Sequence, residues 1–288
     1  MVPLDVPTQD RTTIWVPLLR RLTDEWSTWL VLKHPESAFT GSGDIDSAAP
    51  PESWAAIEST FCSWAAEQGL GSVISCPHAP GWLHLVALDP LGGRFYELDV
   101  NSRKLLLGST FYQALDLLPL AMMDARGFRR VRPGAEGLLK LIHNGTRRGG
   151  RPNPEGLRVK RVRELMAADR TGMELASRLF GGSGGAILRG ADACLAGEWD
   201  RTAMVLVELR FLARALLEPR SILWRLRFRV VKRRCVVLQT VFRDRRQPPA
   251  DVAPWLAAVR RNHRVVAAVS VPARRALEDP DGSAQGIP

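Results

Sequence analysis

Apolar positions along this chain repeat first at a helical period, then in short strand-like runs, then at a helical period again. Over 12–27, Ile14, Leu18, Leu19, Leu22 and Trp26 recur at helical steps, which predicts a helix capped by Thr12 or Thr13. Pro17 has no amide hydrogen and is expected to be tolerated only in the first turn of such a helix. "STWLVLK" then reads as a short buried strand, and "TGSG" as a turn into a second strand, "DIDSAA". "PPESW" opens a helix over about 51–68, with Trp54, Ile57, Phe61 and Trp64 on one face and "QGLG" ending it. Three strands follow, "GSVISC", "WLHLVALD" and "RFYELDV", the last two joined by a "PLGG" hairpin.

Helical spacing then resumes. "ALDLLPLAMMDARG", "PGAEGLLKLIHNGTRRG", "PEGLRVKRVRELMAAD" and "TGMELASRLF" read as successive helices, and "GGSGG" at 181–185 as a linker or tight turn. A long helix is expected over about 191–217, then a basic amphipathic stretch at 219–234 and a disordered tail. The pattern therefore predicts an α+β protein: a mixed sheet with flanking helices in 1–125, a helical extension in 126–180, an arginine-rich helical region in 181–275 and the tail in 276–288.

Charge sharpens that division. Residues 1–125 carry 7 Lys/Arg against 15 Asp/Glu, whereas the remainder carries 33 against 15, giving the overall +10. An anionic partner is expected for the second half. The chain is 288 residues long and 45% apolar, ordinary for a globular protein; no signal peptide is expected, and no apolar run reaches membrane length. Cys62, Cys76, Cys194 and Cys235 are scattered and read as free thiols of a reducing, cytoplasmic compartment.

Candidate chemistry starts at "GSGDIDSAA". In a strand, residues two apart project from one face, about 7 Å from each other. Asp44 and Asp46 would then stand together with Ile45 buried behind them. Two such carboxylates repel unless a cation lies between them, and all-oxygen ligands suit Mg²⁺ or Mn²⁺. Asp99 in "ELDV" offers a third acid, with Glu97 on its face. Taken by itself, a D-x-D in an exposed strand is more often plain surface than a metal site.

"GSGDIDSAAPPESW" resembles the "gDIDllv-p-ed" segment of the nucleotidyltransferase fold, the polymerase-β-like superfamily. "ELDVNSRKLLLGSTFYQALDLL" is similar to that group's third-carboxylate strand, and "VRPGAEGLLKLIHNGTRRG" to the helical segment that follows it. The likeness covers about residues 28–150. It implies a Mg²⁺- or Mn²⁺-dependent transfer of a nucleotidyl group from a nucleoside triphosphate to a hydroxyl or phosphate acceptor. Asp44, Asp46 and Asp99 would hold the metals, and Asp99 would also help deprotonate the acceptor. Gly41, Ser42 and Lys33 would serve the nucleotide. The superfamily's Gly-Ser pair usually lies about ten residues before its D-x-D, whereas Gly41-Ser42 abuts Asp44, and Ser47-Ala48-Ala49 replaces an apolar triplet. The arginine-rich part from "RLFGGSGGAILRG" to "WRLRFRVVKRR" looks like the connector of bacterial proteins that fuse such a domain to a thymidylate-kinase-like one. That likeness implies a setting in surface polysaccharide metabolism, although no kinase P-loop follows here.

Other residues carry weaker signals. His84, between Leu83 and Leu85, reads as a core or edge histidine, and His143 as a half-buried structural one. His34 beside Lys33 reads as part of a solvated turn, while Arg103 and Lys104 are candidates for steering phosphates. The 219–234 stretch fits packing on the helical domain or peripheral contact with an anionic membrane. Few stacking aromatics accompany it, which speaks against nucleic acid. A non-catalytic remnant of the fold, acting as a binding scaffold, is the rival reading. A glycosyltransferase would need a longer nucleotide-binding unit than the roughly 43 residues before the D-x-D.

Overall fold

A computed structural model describes residues 10–219, apart from 42, 71–72, 80, 90–93 and 155–157, together with 223, 226, 236–242 and 265–272. In chain order the elements begin with α1 (Thr12–Glu25), β1 (Leu30–Val31), α2 (Glu36–Phe39), β2 (Ile45–Ala48) and α3 (Trp54–Glu67). Strands β3 (Val73–Ala79), β4 (Trp82–Asp89), β5 (Arg94–Asn101), β6 (Arg103–Leu106), β7 (Ser109–Gln113), β8 (Ala121–Met123) and β9 (Arg129–Val131) follow. Next come α4 (Pro133–Gly145), β10 (Thr146–Arg147), β11 (Arg151–Pro152), α5 (Val159–Ala168), α6 (Arg170–Arg178), α7 (Gly184–Ala196) and α8 (Arg201–Leu217). Two strands, β12 (Val236–Phe242) and β13 (Val265–Pro272), complete the described chain. The fold is α+β, with a mixed sheet and flanking helices.

The chain forms two compact units, one of 10–27, 35–101 and the C-terminal strands, the other of 28–34 and 102–225. In the first, strands run in the order β13-β12-β3-β4-β5-β2. Neighbours from β12 to β5 are antiparallel, whereas β2 runs parallel to β5 and β13 parallel to β12. Strand alternation sorts the side chains: Ile45, Leu85, Tyr96, Leu98 and Val100 share one buried face. Against that face α1 and α3 set a ring cluster, with Trp15 stacked on Trp64 at 5.3 Å between centroids and Tyr96 tilted against Trp15 at 5.6 Å. The Trp64 indole N–H reaches the Ile14 carbonyl at 3.1 Å, so burying this tryptophan leaves no donor unpaired. The polar face of the same sheet is left to the acids.

In the second unit β1 pairs parallel with β9, which pairs antiparallel with β8, and β6–β7 form a hairpin. Helix α4 is almost wholly buried, and its glycines permit that. A Cβ on Gly134 would lie 1.7 Å from the Asp169 carbonyl oxygen. Asp169 closes this junction: its side chain caps α6 through the Gly172 N–H, accepts from the Gly134 N–H and pairs with Arg132. Phe111 gathers Phe180 and Phe211 into a second aromatic core.

Several sequence expectations need correction. Pro17 lies past the first turn of α1, which forgoes one backbone hydrogen bond there while Leu18 and Leu19 directly after it stay buried. The expected helix at 114–127 is a 3₁₀ helix, Ala114–Leu120, followed by β8. The long helix expected at 191–217 is two helices. Gly197, at φ +95°, ends α7, and the Asp200 carboxylate caps α8 by accepting the Ala203 N–H at 2.8 Å. The region expected to be helical through 275 contains β12 and β13, in keeping with their β-branched runs. Most of the basic stretch 219–234 and all of the tail at 276–288 lie outside the described residues.

Candidate functional site

The D-x-D stands at the start of β2, where that strand pairs with β5. Their register sets Asp46 opposite Asp99, and alternation puts Asp44 and Glu97 on that same face. One carboxylate oxygen from each of Asp44, Asp46 and Asp99 falls within 4.8 Å of the others. Asp46 and Asp99 are buried, at 7% and 6% exposure, and Asp44 is half-buried. The three acids named from spacing and resemblance are thus brought together on one face of the sheet.

Backbone contacts fix the pair of strands behind them. The Ser47 hydroxyl donates to the Asp99 carbonyl at 2.8 Å, and the Asn101 amide donates to the Ser47 carbonyl at 3.2 Å. Ser47 therefore has a structural task where the resembling family has an apolar residue. Asn101 Oδ1 is buried and has no hydrogen-bond partner among the described residues. Two residues along β5 from Asp99, Asn101 brings a further oxygen to the same face.

Strand β4 adds a residue that spacing alone did not assign to the site. His84 is the cross-strand partner of Asp99, and its Nδ1 lies 2.5 Å from Asp99 Oδ1. Its Nε2 lies 4.0 Å from Glu97 Oε2. Burial disfavours the imidazolium, but the Asp99 hydrogen bond and the charges of Asp99, Glu97 and Asp44 outweigh it and raise the His84 pKa. Burial also raises the Glu97 pKa; His84 opposes that shift, while Asp44 and Asp99 reinforce it.

The donor set fits a small divalent cation. Octahedral Mg²⁺ at about 2.1 Å places adjacent ligand oxygens about 3 Å apart and opposite ones about 4 Å apart. Carboxylate oxygens within 4.8 Å of one another already lie close to those separations. Acids drawn this close out of water are costly unless a counter-charge joins them.

The turn before Asp44 is built for close approach. Gly41 has φ +79°, and a Cβ there would come within 2.9 Å of Arg11 Nε. Arg11 is itself buried; it donates to the Phe95 carbonyl at 2.9 Å and lies over the Tyr96 ring. It thereby ties the turn to β5, a role that no local motif announces. Ser42 lies outside the described residues. Lys33 is exposed and belongs to the second unit, as do Arg103, Lys104 and His143. His143 packs on Phe111 at 5.8 Å between centroids. Burial lowers its pKa against an Asn144 hydrogen bond, and the Lys104 and Lys33 charges lower it further. The "GGSGG" run forms a 3₁₀ turn and the start of α7, with Gly182 against the Arg210 guanidinium.

Cys62, Cys76 and Cys194 form no disulfide among the described residues, and burial, then Glu58, pushes the Cys62 thiol up to about 12. Among the described residues, no helix is long and apolar enough to cross a membrane. No protein-family model matches the chain, and neither a curated protein nor a solved structure matches it.

Proposed function

We propose that the chain is a divalent-metal-dependent nucleotidyltransferase, passing a nucleotidyl group from a nucleoside triphosphate to a hydroxyl or phosphate acceptor. The observation that carries this reading is the convergence of Asp44, Asp46 and Asp99 on one sheet face, with ligand oxygens within 4.8 Å. A bound Mg²⁺ or Mn²⁺ would neutralise the phosphate charge that builds up during in-line displacement. Asp44 and Asp46 are the residues that would hold it, projecting side by side from β2. Asp99, whose Oδ1 is hydrogen-bonded by His84, would complete the set and is the carboxylate placed to help deprotonate an acceptor hydroxyl. The acceptor oxygen then bonds to the α-phosphorus, and pyrophosphate departs with the electrons of the broken bond. The acidic first half of the chain suits the cation, and the cationic second half suits an anionic acceptor.

The second reading, a non-catalytic scaffold on the same fold, draws on one observation. The His84 imidazole already engages an oxygen of Asp99, and a protonated ring there would supply the positive charge that a metal otherwise brings. Calorimetry with nucleoside triphosphates, with and without Mg²⁺, separates the two. A transferase binds nucleotide in a Mg²⁺-dependent manner, and Asp46→Asn abolishes that heat while leaving the unfolding temperature near that of the parent. Nucleotide binding that ignores both Mg²⁺ and the substitution points to the scaffold.

A further inference from the structure

Helix α8 is apolar on two sides, and among the described residues only one of them has a partner. Ala203, Met204, Val207, Phe211 and Ala215 are buried against the second unit. The opposite side carries Leu206, Leu209, Leu212, Leu216 and Leu217, all exposed, the last two at 81% and 83%. Leu206, Leu209, Leu212 and Leu216 follow one another at three- and four-residue steps along one stripe, and Leu217 widens it at the end. Five leucines on a single outward face exceed the scattered apolar residues that a surface ordinarily shows.

We infer that this outer face of α8 docks on an anionic lipid bilayer. Exposed Arg210 borders the leucine stripe one turn from Leu206, and exposed Arg201 lies at the N-terminal end of the stripe's other edge. On the Arg201 side, Arg147 and Arg148 line the same cavity as Met204, Val207 and Glu208. The compact unit that carries α8 holds 23 Lys/Arg against 12 Asp/Glu, a net of +11, whereas the first unit holds 17 against 18. Leucines flanked by guanidinium groups match a surface with an acyl interior and anionic headgroups. A second copy of the chain fits less well, because it would bring two units of charge +11 together across arginine-edged faces. A nucleic acid would want stacking aromatics where the stripe has leucines. The inference goes beyond the proposed transfer reaction and does not depend on it. It rests on α8 and on the charge of the unit that carries it.

Co-sedimentation of the full chain with vesicles tests it. Wild type is expected to pellet with vesicles of equal parts phosphatidylcholine and phosphatidylserine, not with phosphatidylcholine alone, and to be released by salt. The double variant Leu209→Glu/Leu216→Glu changes only solvent-exposed positions, so its circular dichroism and unfolding temperature should match the parent. Its vesicle binding should fall at least about tenfold. Binding that survives the double substitution would overturn the inference, as would a wild type that stays in the supernatant. A wild type that avoids vesicles yet sediments as a dimer, and becomes a monomer in the double variant, would assign the stripe to a second copy.

Discussion

His84→Ala probes the candidate metal site from behind. The imidazole donates to an Asp99 oxygen on the neighbouring strand, and Asp99 is only 6% exposed, so water replaces the lost donor poorly. A hydrogen bond to a charged group is worth about 1.5–3 kcal/mol. Carboxylates that bind metals commonly lean on such partners, and their loss weakens metal affinity about tenfold to a hundredfold. The expected outcome is therefore a Mn²⁺ dissociation constant raised by roughly that factor, read by calorimetry or by electron paramagnetic resonance at pH 7.5. His84→Gln keeps an N–H donor at the position and should recover part of the loss, while unfolding temperatures report whether each variant keeps its fold. Mn²⁺ binding that stays equal or tightens in His84→Ala would refute the reasoning. The histidine would then be standing in for the cation, as the scaffold reading holds.

Two further outcomes test the second unit's packing. Gly134→Ala would place a methyl 1.7 Å from the Asp169 carbonyl oxygen and 2.7 Å from the Met173 nitrogen, both backbone atoms. It should cost about 3 kcal/mol or more in denaturant unfolding, whereas Gly185→Ala, with nothing within 4 Å, should be neutral or mildly stabilising. Asp169 supplies a pH dependence. Burial works to raise its pKa, but the hydrogen bonds from Arg132, Gly172 and Gly134 prevail and hold it below the ordinary value of 3.8. Its contribution to stability is thus fully present above pH 3.8 and is lost as pH falls below that value through the lower folded pKa. Denaturation between pH 2 and 5 should show a shallower acid slope in Asp169→Asn than in the parent, and equal slopes would contradict the assignment.

Much of the site could be read from local pattern because strands obey a two-residue period. The D-x-D announced a shared face, and "ELDV" offered a third acid whose register with Asp46 the parallel pairing supplies. His84 was also within reach. The hairpin pairs Asp89 with Arg94, and equal steps back along both strands arrive at His84 opposite Asp99. It was read as a core or edge residue because its apolar neighbours, Leu83 and Leu85, describe the other face of the strand. Arg11 could not be found this way, because its task depends on Gly41 and Phe95, which lie far from it in sequence. Helices α1, α3, α4, α5 and α6 were equally legible in the apolar spacing, but the break between α7 and α8 was not. Leucines continue at helical steps on both sides of it, and only the left-handed Gly197 and the Asp200 cap interrupt them. The C-terminal strands were hidden by the basic run that precedes them, whose spacing continues the helical pattern.

Anomalous diffraction from Mn²⁺-soaked crystals examines the cation site most directly. A peak within coordinating distance of the Asp44, Asp46 and Asp99 carboxylates, absent from Asp46→Asn crystals, is the expected result. A map with no peak there at millimolar Mn²⁺, or one in which the three side chains point apart, would contradict the claim that these strands were folded to hold a metal.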